Sequence, residues 1–306
     1  MNGHPVFVTF FMLGTIVFFI GLALRLFLYW RGQWSGRSLA RGVLSTLVSA
    51  RIVAFLKNIF LDGILQRRLF EQDKLRWLMK VLIMIGYPGI LLAGHLKVEV
   101  MPQFEKVPHL LRFFYAPFCD FYFFRDMASS SLPLSDALFA ISFDLFGAMI
   151  LMGEFIAIYR RFLAKVVVFE TSVGDILAVN LLGGWFLLRF FCEATSILAY
   201  QLPDSVAQYW FVSFGLSKIM APLGLPWSSL NAPLWSIAGF FLAALVAFIP
   251  FNKKLWHIIT IPVVMFVNVM PREAFKPGAR KVSLPLSIKE LIALDSCVKC
   301  GSCVDL

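Results

Sequence analysis

The chain has 306 residues, is 59% hydrophobic with 33 Phe, and carries only 15% charged side chains. That composition excludes an ordinary soluble domain and fits one membrane bundle with a short tail. The net charge of +10 does not point to nucleic acid, because basic residues in a membrane protein set its orientation and meet anionic headgroups.

The first predicted span runs over residues 5–30. It is too long for a signal-peptide core and lacks a basic leader, so it reads as a true crossing. Arg25 lies near its end and is expected to snorkel toward the surface, as is Lys80 in the second span. A basic stretch follows. Between Ser49 and Phe70, Arg51, Lys57, Asp62, Arg67 and Arg68 alternate with apolar residues, a pattern that suits an amphipathic helix lying in the interface.

The second span is expected over 75–96, with Gly86, Pro88 and Gly89 favouring a kink. His95 closes it. The connection from Leu96 to Ser135 is aromatic, as is the one from Gln201 to Asn231, and both suit interfacial belts or re-entrant pieces. The third span is placed at 136–159 and the fourth at 172–200. Asp144 and Glu154 sit inside the third, where a carboxyl group must be protonated or partnered, and proton uptake is one use for it. Arg189 and Glu193 are four apart on the fourth span and share a face. They read either as a quinone or proton site or as a structural ion pair. The fifth span is placed at 233–251, and His257 follows it. His95 and His257 are haem-ligand candidates or, equally, interfacial histidines. As they stand near opposite faces, they cannot share one haem. His4 and His109 are given no role.

Lys and Arg are distributed unevenly. Nine fall in 31–76, three in 159–171 and eight in 252–306, against five in the two intervening connections. This bias places the N-terminus outside and the C-terminus in the cytoplasm of a multi-pass protein of the cell inner membrane.

Cys119 and Cys192 are isolated and are expected to be small buried apolar residues. The chain ends with Cys297-Val-Lys-Cys300-Gly-Ser-Cys303. Three thiolates at this spacing match the first three ligands of a bacterial-type [4Fe–4S] cluster, and Gly301 lets the backbone pass close to it. A zinc knuckle is the competing reading. The fourth ligand is absent before Leu306, so a longer polypeptide or a partner is expected to supply it. Reduced thiols favour the cytoplasm, in agreement with the charge bias.

The fold class is therefore an all-α membrane bundle of about five spans, with an interfacial helix and a cytoplasmic Cys-rich tail. Several stretches resemble a known family. They are Gln66-Arg67-Arg68 with Arg76-Trp77, Gly94-His95-Leu96, Arg160-Arg161 leading to Thr171-x3-Asp175, Glu193, and Ile249-Pro250-Phe251-Asn252-Lys253 before His257. Together they are similar to membrane cytochrome b subunits of the respiratory nitrate reductase gamma type. That group includes the membrane subunits of heterodisulfide reductase and of the sulfate reducers' Dsr complex.

The resemblance covers roughly residues 5–270. It implies a membrane domain over 1–270 and, over 271–306, a linker opening into a ferredoxin-type region like that of fused heterodisulfide-reductase-like proteins. It further implies electron exchange between a membrane quinone and cytoplasmic iron–sulfur centres through haem b, with a cytoplasmic reductase subunit or fused domain as partner. The chain departs from the family at the histidines. The family carries two about ten apart on the second helix and two about eighteen apart on the fifth, which hold haem iron. Here Ile85 stands ten residues before His95, and Ala238 and Gly239 stand where the partner of His257 belongs. Haem b thus stays open beside a haem-free anchor that docks a soluble reductase.

Overall fold

The computed structural model describes residues 5–32, 35–100, 105, 109, 134–164, 173–275 and 286–296. Twelve α-helices follow one another among the described residues. Five are long and apolar enough to cross a membrane: α1 (Pro5–Trp30), α5 (Lys74–Val100), α6 (Leu134–Ile158), α7 (Val173–Ala199) and α10 (Trp227–Phe248). In lipid such helices satisfy their own backbone polar groups, which is why apolar runs of this length fold as helices. No strand occurs among the described residues. The protein is thus an all-α, multi-pass membrane bundle.

The remaining helices are shorter. After α1 come α2 (Gly36–Val48), α3 (Arg51–Asn58) and α4 (Arg67–Gln72). The expected interfacial helix over Ser49–Phe70 is therefore broken. A π-helical segment fills Ile59–Ile64, and Gln66 adopts a left-handed φ of 48°, which ends the helical run. Between α7 and α10 lie α8 (Asp204–Ala207) and α9 (Phe211–Met220), and beyond α10 come α11 (Lys253–Val269) and α12 (Ile288–Ser296). The sequence reading did not anticipate α11 or α12.

The chain divides into two compact units. The first comprises Met1–Phe11, Leu75–Lys165 and Asn180–Leu242. Its helices α5 and α6 approach closely through glycine. A Cβ at Gly86 would stand 2.7 Å from Ile150 Cγ1, and one at Gly153 would stand 2.7 Å from Ile83 Cγ1 and 2.9 Å from the Met79 carbonyl. Small residues at such crossings let two backbones pack without lipid between them. A second cluster joins Ala140, Ile197, Leu202, Val206, Ala207 and Trp210, and it anchors the α8–α9 segment.

The second unit comprises Met12–Lys74, Val166–Val179 and Ala243–Leu306. Its core includes Val267, Met270 and Ala274, with Leu39 and Val43 of α2 packed against them. Asn252 acts as the N-cap of α11. Its Oδ1 accepts from Leu255 N at 3.2 Å, and its Nδ2 donates to the Gly174 carbonyl at 2.7 Å, so one side chain serves a helix start and a tertiary contact.

Helix α12 begins with a reciprocal cap. Ser287 donates its N–H and hydroxyl to the Glu290 carboxylate at 2.7 and 2.8 Å, and Glu290 N–H donates to Ser287 Oγ at 3.3 Å. This is a capping box. The Ser287 N–H and hydroxyl hold the exposed Glu290 carboxyl below its ordinary value of 4.5. The folded value lies below the unfolded one, so the cap contributes fully above pH 4.5 and is lost as pH falls through the lower folded value. Amide exchange across 288–296 is expected to be faster in Glu290→Gln than in the parent at neutral pH. The difference should vanish in acid, and a difference that persists there would exclude this origin.

Candidate functional site

The first unit buries a set of charged and polar side chains that its apolar helices would not otherwise tolerate. Arg189 and Glu193, one turn apart on α7, form an ion pair at 2.6 Å with side-chain exposures of 1% and 0%. The guanidinium also donates to the Phe143 carbonyl at 3.3 Å and lies over the rings of Phe143 and Phe190 at 5.8 and 5.5 Å. Aromatic faces of this kind stabilise a desolvated guanidinium. Space for it comes from Gly147, where a Cβ would meet Arg189 Nη1 at 2.7 Å.

Glu193 reaches further. Its Oε2 accepts the Ser213 hydroxyl at 2.5 Å, and the same hydroxyl stands 3.5 Å from Asp144 Oδ1. Asp144 Oδ2 accepts the Val212 N–H at 2.6 Å. These contacts form one chain from Arg189 through Glu193 and Ser213 to Asp144.

The Asp144 contact has a local cause. Helix α9 starts after Trp210, which supplies no side-chain cap. Its early N–H groups therefore need an acceptor from elsewhere. Asp144 of α6 provides it across the fold, and the positive end of α9 favours a carboxylate at that point. The sequence singled out Asp144 as unusual but could not show its partner. Ser213 carried no signal at all.

A neutral hydrogen-bond ladder adjoins this chain on α7. Thr195 and Ser196 hydroxyls both donate to the Cys192 carbonyl at 2.8 Å. Asn231 Nδ2 donates to Ser196 Oγ at 2.8 Å and Trp235 Nε1 donates to it at 3.0 Å. Such back-bonding satisfies hydroxyls inside an apolar bundle. Cys192 is fully buried, as the sequence suggested, while Cys119 lies outside the described residues. Glu154, also buried at 4%, has no ion-pair partner among the described residues. Lys97, buried at 6%, pairs with Asp136 and lies 5.4 Å from the centre of the Phe139 ring.

His95 lies on α5 in the first unit, with Nε2 3.9 Å from Glu99 Oε1, while Glu99 Oε2 stands 2.7 Å from His109 Nδ1. The two imidazoles therefore share one carboxylate. His257 lies half-buried on α11 in the second unit. Cys297, Cys300 and Cys303 lie outside the described residues. Their donor chemistry, three closely spaced thiols, suits three corners of an iron–sulfur cube. Among the described residues no three His, Cys, Asp or Glu side chains converge as metal ligands.

Arg25, expected to snorkel, instead pairs with Asp295. Its Nε also donates to the Pro250 carbonyl at 2.8 Å. An internal partner replaces the lipid surface as the answer to its charge.

No family model matches the chain, and no solved structure matches it. Among curated proteins it is similar to the E subunit of the dihydromethanophenazine:CoB–CoM heterodisulfide reductase of Methanosarcina barkeri, at 25% identity over 215 residues, 70% of this chain and 67% of that protein. Its counterpart in Methanosarcina thermophila is 26% identical over 219 residues, 70% of this chain and 66% of that protein. The counterpart in Methanosarcina mazei is 26% identical over 215 residues, 70% of this chain and 67% of that protein. The match thus spans about two thirds of these relatives, and it establishes homology to this subunit of heterodisulfide reductase.

Proposed function

We propose that this chain is a membrane electron-transfer subunit. It joins a lipid-soluble two-electron carrier of quinone class to iron–sulfur redox chemistry of heterodisulfide-reductase type in a cytoplasmic partner. The carrying observation is the buried Arg189–Glu193–Ser213–Asp144 chain within a bundle homologous to that subunit of the reductase. The relatives' name includes a reduced phenazine, which shares with a quinol the release of two electrons and two protons. The cytochrome b likeness to the nitrate reductase gamma group belongs to the same reading.

Within this reading, the carrier supplies two electrons and two protons when oxidised, and takes them up when reduced. Glu193 accepts or returns one of those protons through the Ser213 hydroxyl. Arg189 keeps the carboxylate oriented and compensates its charge. Asp144, held by α9, fixes Ser213 between the two carboxyl groups. Cys297, Cys300 and Cys303 would hold three corners of a [4Fe–4S] cluster, with the fourth ligand supplied from outside these three. The Lys and Arg bias supports a cytoplasmic C-terminus and an outer N-terminus in the inner membrane.

A second reading is a haem-free anchor that docks the reductase. One observation favours it: Arg189 and Glu193 are sealed at 1% and 0% exposure, as a structural strut would be. The test uses the full chain with its reductase partner, under anaerobic conditions, supplied with a reduced quinone. Glu193→Gln is expected to slow quinol-dependent reduction of the partner by about 100-fold, the scale of a positioned acid–base group. An unchanged rate in a folded variant favours the anchor. A dithionite-reduced spectrum of the same sample reads haem independently through its b-type bands.

A further inference from the structure

Residues 271–306 read in sequence as a linker opening into a ferredoxin-type region, yet within them Ile288–Ser296 is a capped helix of the second unit. Helix α12 packs on α11, and Ile292 is buried at 9%. Leu291 comes close to Gly32, where a Cβ would stand 2.6 Å from its Cδ1. At the end of α12, Asp295 accepts from the Arg25 guanidinium and from the Tyr29 hydroxyl, both on α1. The Tyr29 hydroxyl in turn accepts from Trp256 Nε1 of α11 at 3.0 Å. Arg25 lies 5.7 Å from the centre of the Trp256 ring.

The pair is largely shielded, with side-chain exposures of 15% for Arg25 and 13% for Asp295. The first 61 residues contain no Asp or Glu, so Arg25 draws its carboxylate from a position 270 residues further along the chain. Two positions after Asp295 comes Cys297. Two residues span about 7 Å at most between Cα atoms, so holding Asp295 limits where the cysteine run can start. A shielded ion pair reinforced by a hydroxyl and an indole fixes position where a lone exposed pair would not.

We propose that Arg25, Tyr29 and Asp295 form a latch that sets where the sulfur ligands begin relative to α1 and α11. The end of α12, from which the cysteine run departs, is then held against α1 and α11. This rests on the iron–sulfur reading of Cys297, Cys300 and Cys303. The three latch residues are positioning residues: none is a sulfur ligand, and they act by holding the stem of the cysteine run. Electron transfer between separated centres weakens steeply as they move apart, so releasing the latch slows reduction without removing metal.

The test uses the full chain, reconstituted anaerobically with iron and sulfide in lipid nanodiscs, as parent, Arg25→Gln, Asp295→Asn, Tyr29→Phe and the conservative Arg25→Lys. Three quantities are read: iron per chain, amide exchange across 288–296, and the rate of cluster bleaching on adding a reduced quinone. Arg25→Gln and Asp295→Asn are expected to exchange at least tenfold faster across α12 and to bleach about tenfold slower, with iron content unchanged. Tyr29→Phe should show a smaller effect in the same direction, and Arg25→Lys should recover part of both. Parental bleaching rates in variants whose α12 exchange has risen overturn the positioning role. Parental exchange in Arg25→Gln and Asp295→Asn overturns the latch itself. A parent chain that takes up no iron removes the sulfur reading and the positioning role with it, while the exchange rates still report the latch separately.

Discussion

Arg189→Met is expected to destabilise the protein by about 3–5 kcal/mol, because it strands a buried carboxylate. Glu193 is fully buried, and no bulk water can replace the guanidinium at 2.6 Å. The double variant Arg189→Met/Glu193→Met removes both charges together. It is expected to recover most of the loss, since an apolar pair of similar volume avoids the desolvation cost. Unfolding of the detergent-solubilised protein with a second, denaturing detergent checks both. Quinol-dependent electron transfer then separates the two readings of the site. A strut would let the double variant regain activity along with stability. A proton-handling pair would leave it stable and inactive. Equal stability of Arg189→Met and parent would remove the buried pair as a stabilising contact altogether.

The parts of this architecture visible in sequence are those with a local period or a length. Spans α1, α5, α6, α7 and α10 are each at least 22 residues long and mostly apolar, and length with hydropathy identifies them. Their ends moved by a few residues, most at α10, which starts at Trp227 and carries Pro233 inside it. Pro233 is the seventh residue of the helix, past the first N–H groups that lack an intrahelical acceptor, so it removes one internal bond, a loss that membrane helices tolerate. Helix α11 escaped notice because its apolar stretch, Ile259–Val269, is too short to cross and follows Lys253 and Lys254. The basic residues made the segment read as a tail.

The same distinction holds for the site. Arg189 and Glu193 were legible because a spacing of four puts two side chains on one helical face. Ser213 was not, since it is 20 residues from Glu193 and 69 from Asp144 and only the fold brings them together. Arg25 with Asp295 is the extreme case. Each residue alone suggests a surface role, and no pattern links positions 270 apart. The cysteine run shows the converse: spacing makes its chemistry readable without a fold.

Asp144→Leu is expected to cost about 2–4 kcal/mol, through two effects that add. It leaves the Val212 N–H without its carboxylate acceptor in an apolar interior, worth about 1–3 kcal/mol, and it removes a carboxylate from the positive end of α9, worth up to about 2 kcal/mol in a buried geometry. Asp144→Asn keeps an oxygen at the same place and should cost about 1 kcal/mol, because only the charge is lost. The loss is expected to be local as well as global. Amides of 211–214 should exchange much faster in Asp144→Leu and only slightly faster in Asp144→Asn, and unchanged exchange in the leucine variant would show that α9 finds its cap elsewhere. The asparagine variant also bears on function, since it preserves the cap and cannot exchange a proton at that oxygen. If Asp144 serves only to start α9, Asp144→Asn retains electron transfer at the parental rate. If the Glu193–Ser213–Asp144 chain moves protons, the same variant stays folded and loses turnover. One substitution thereby separates a helix cap from a proton path at a residue that geometry alone assigns to both.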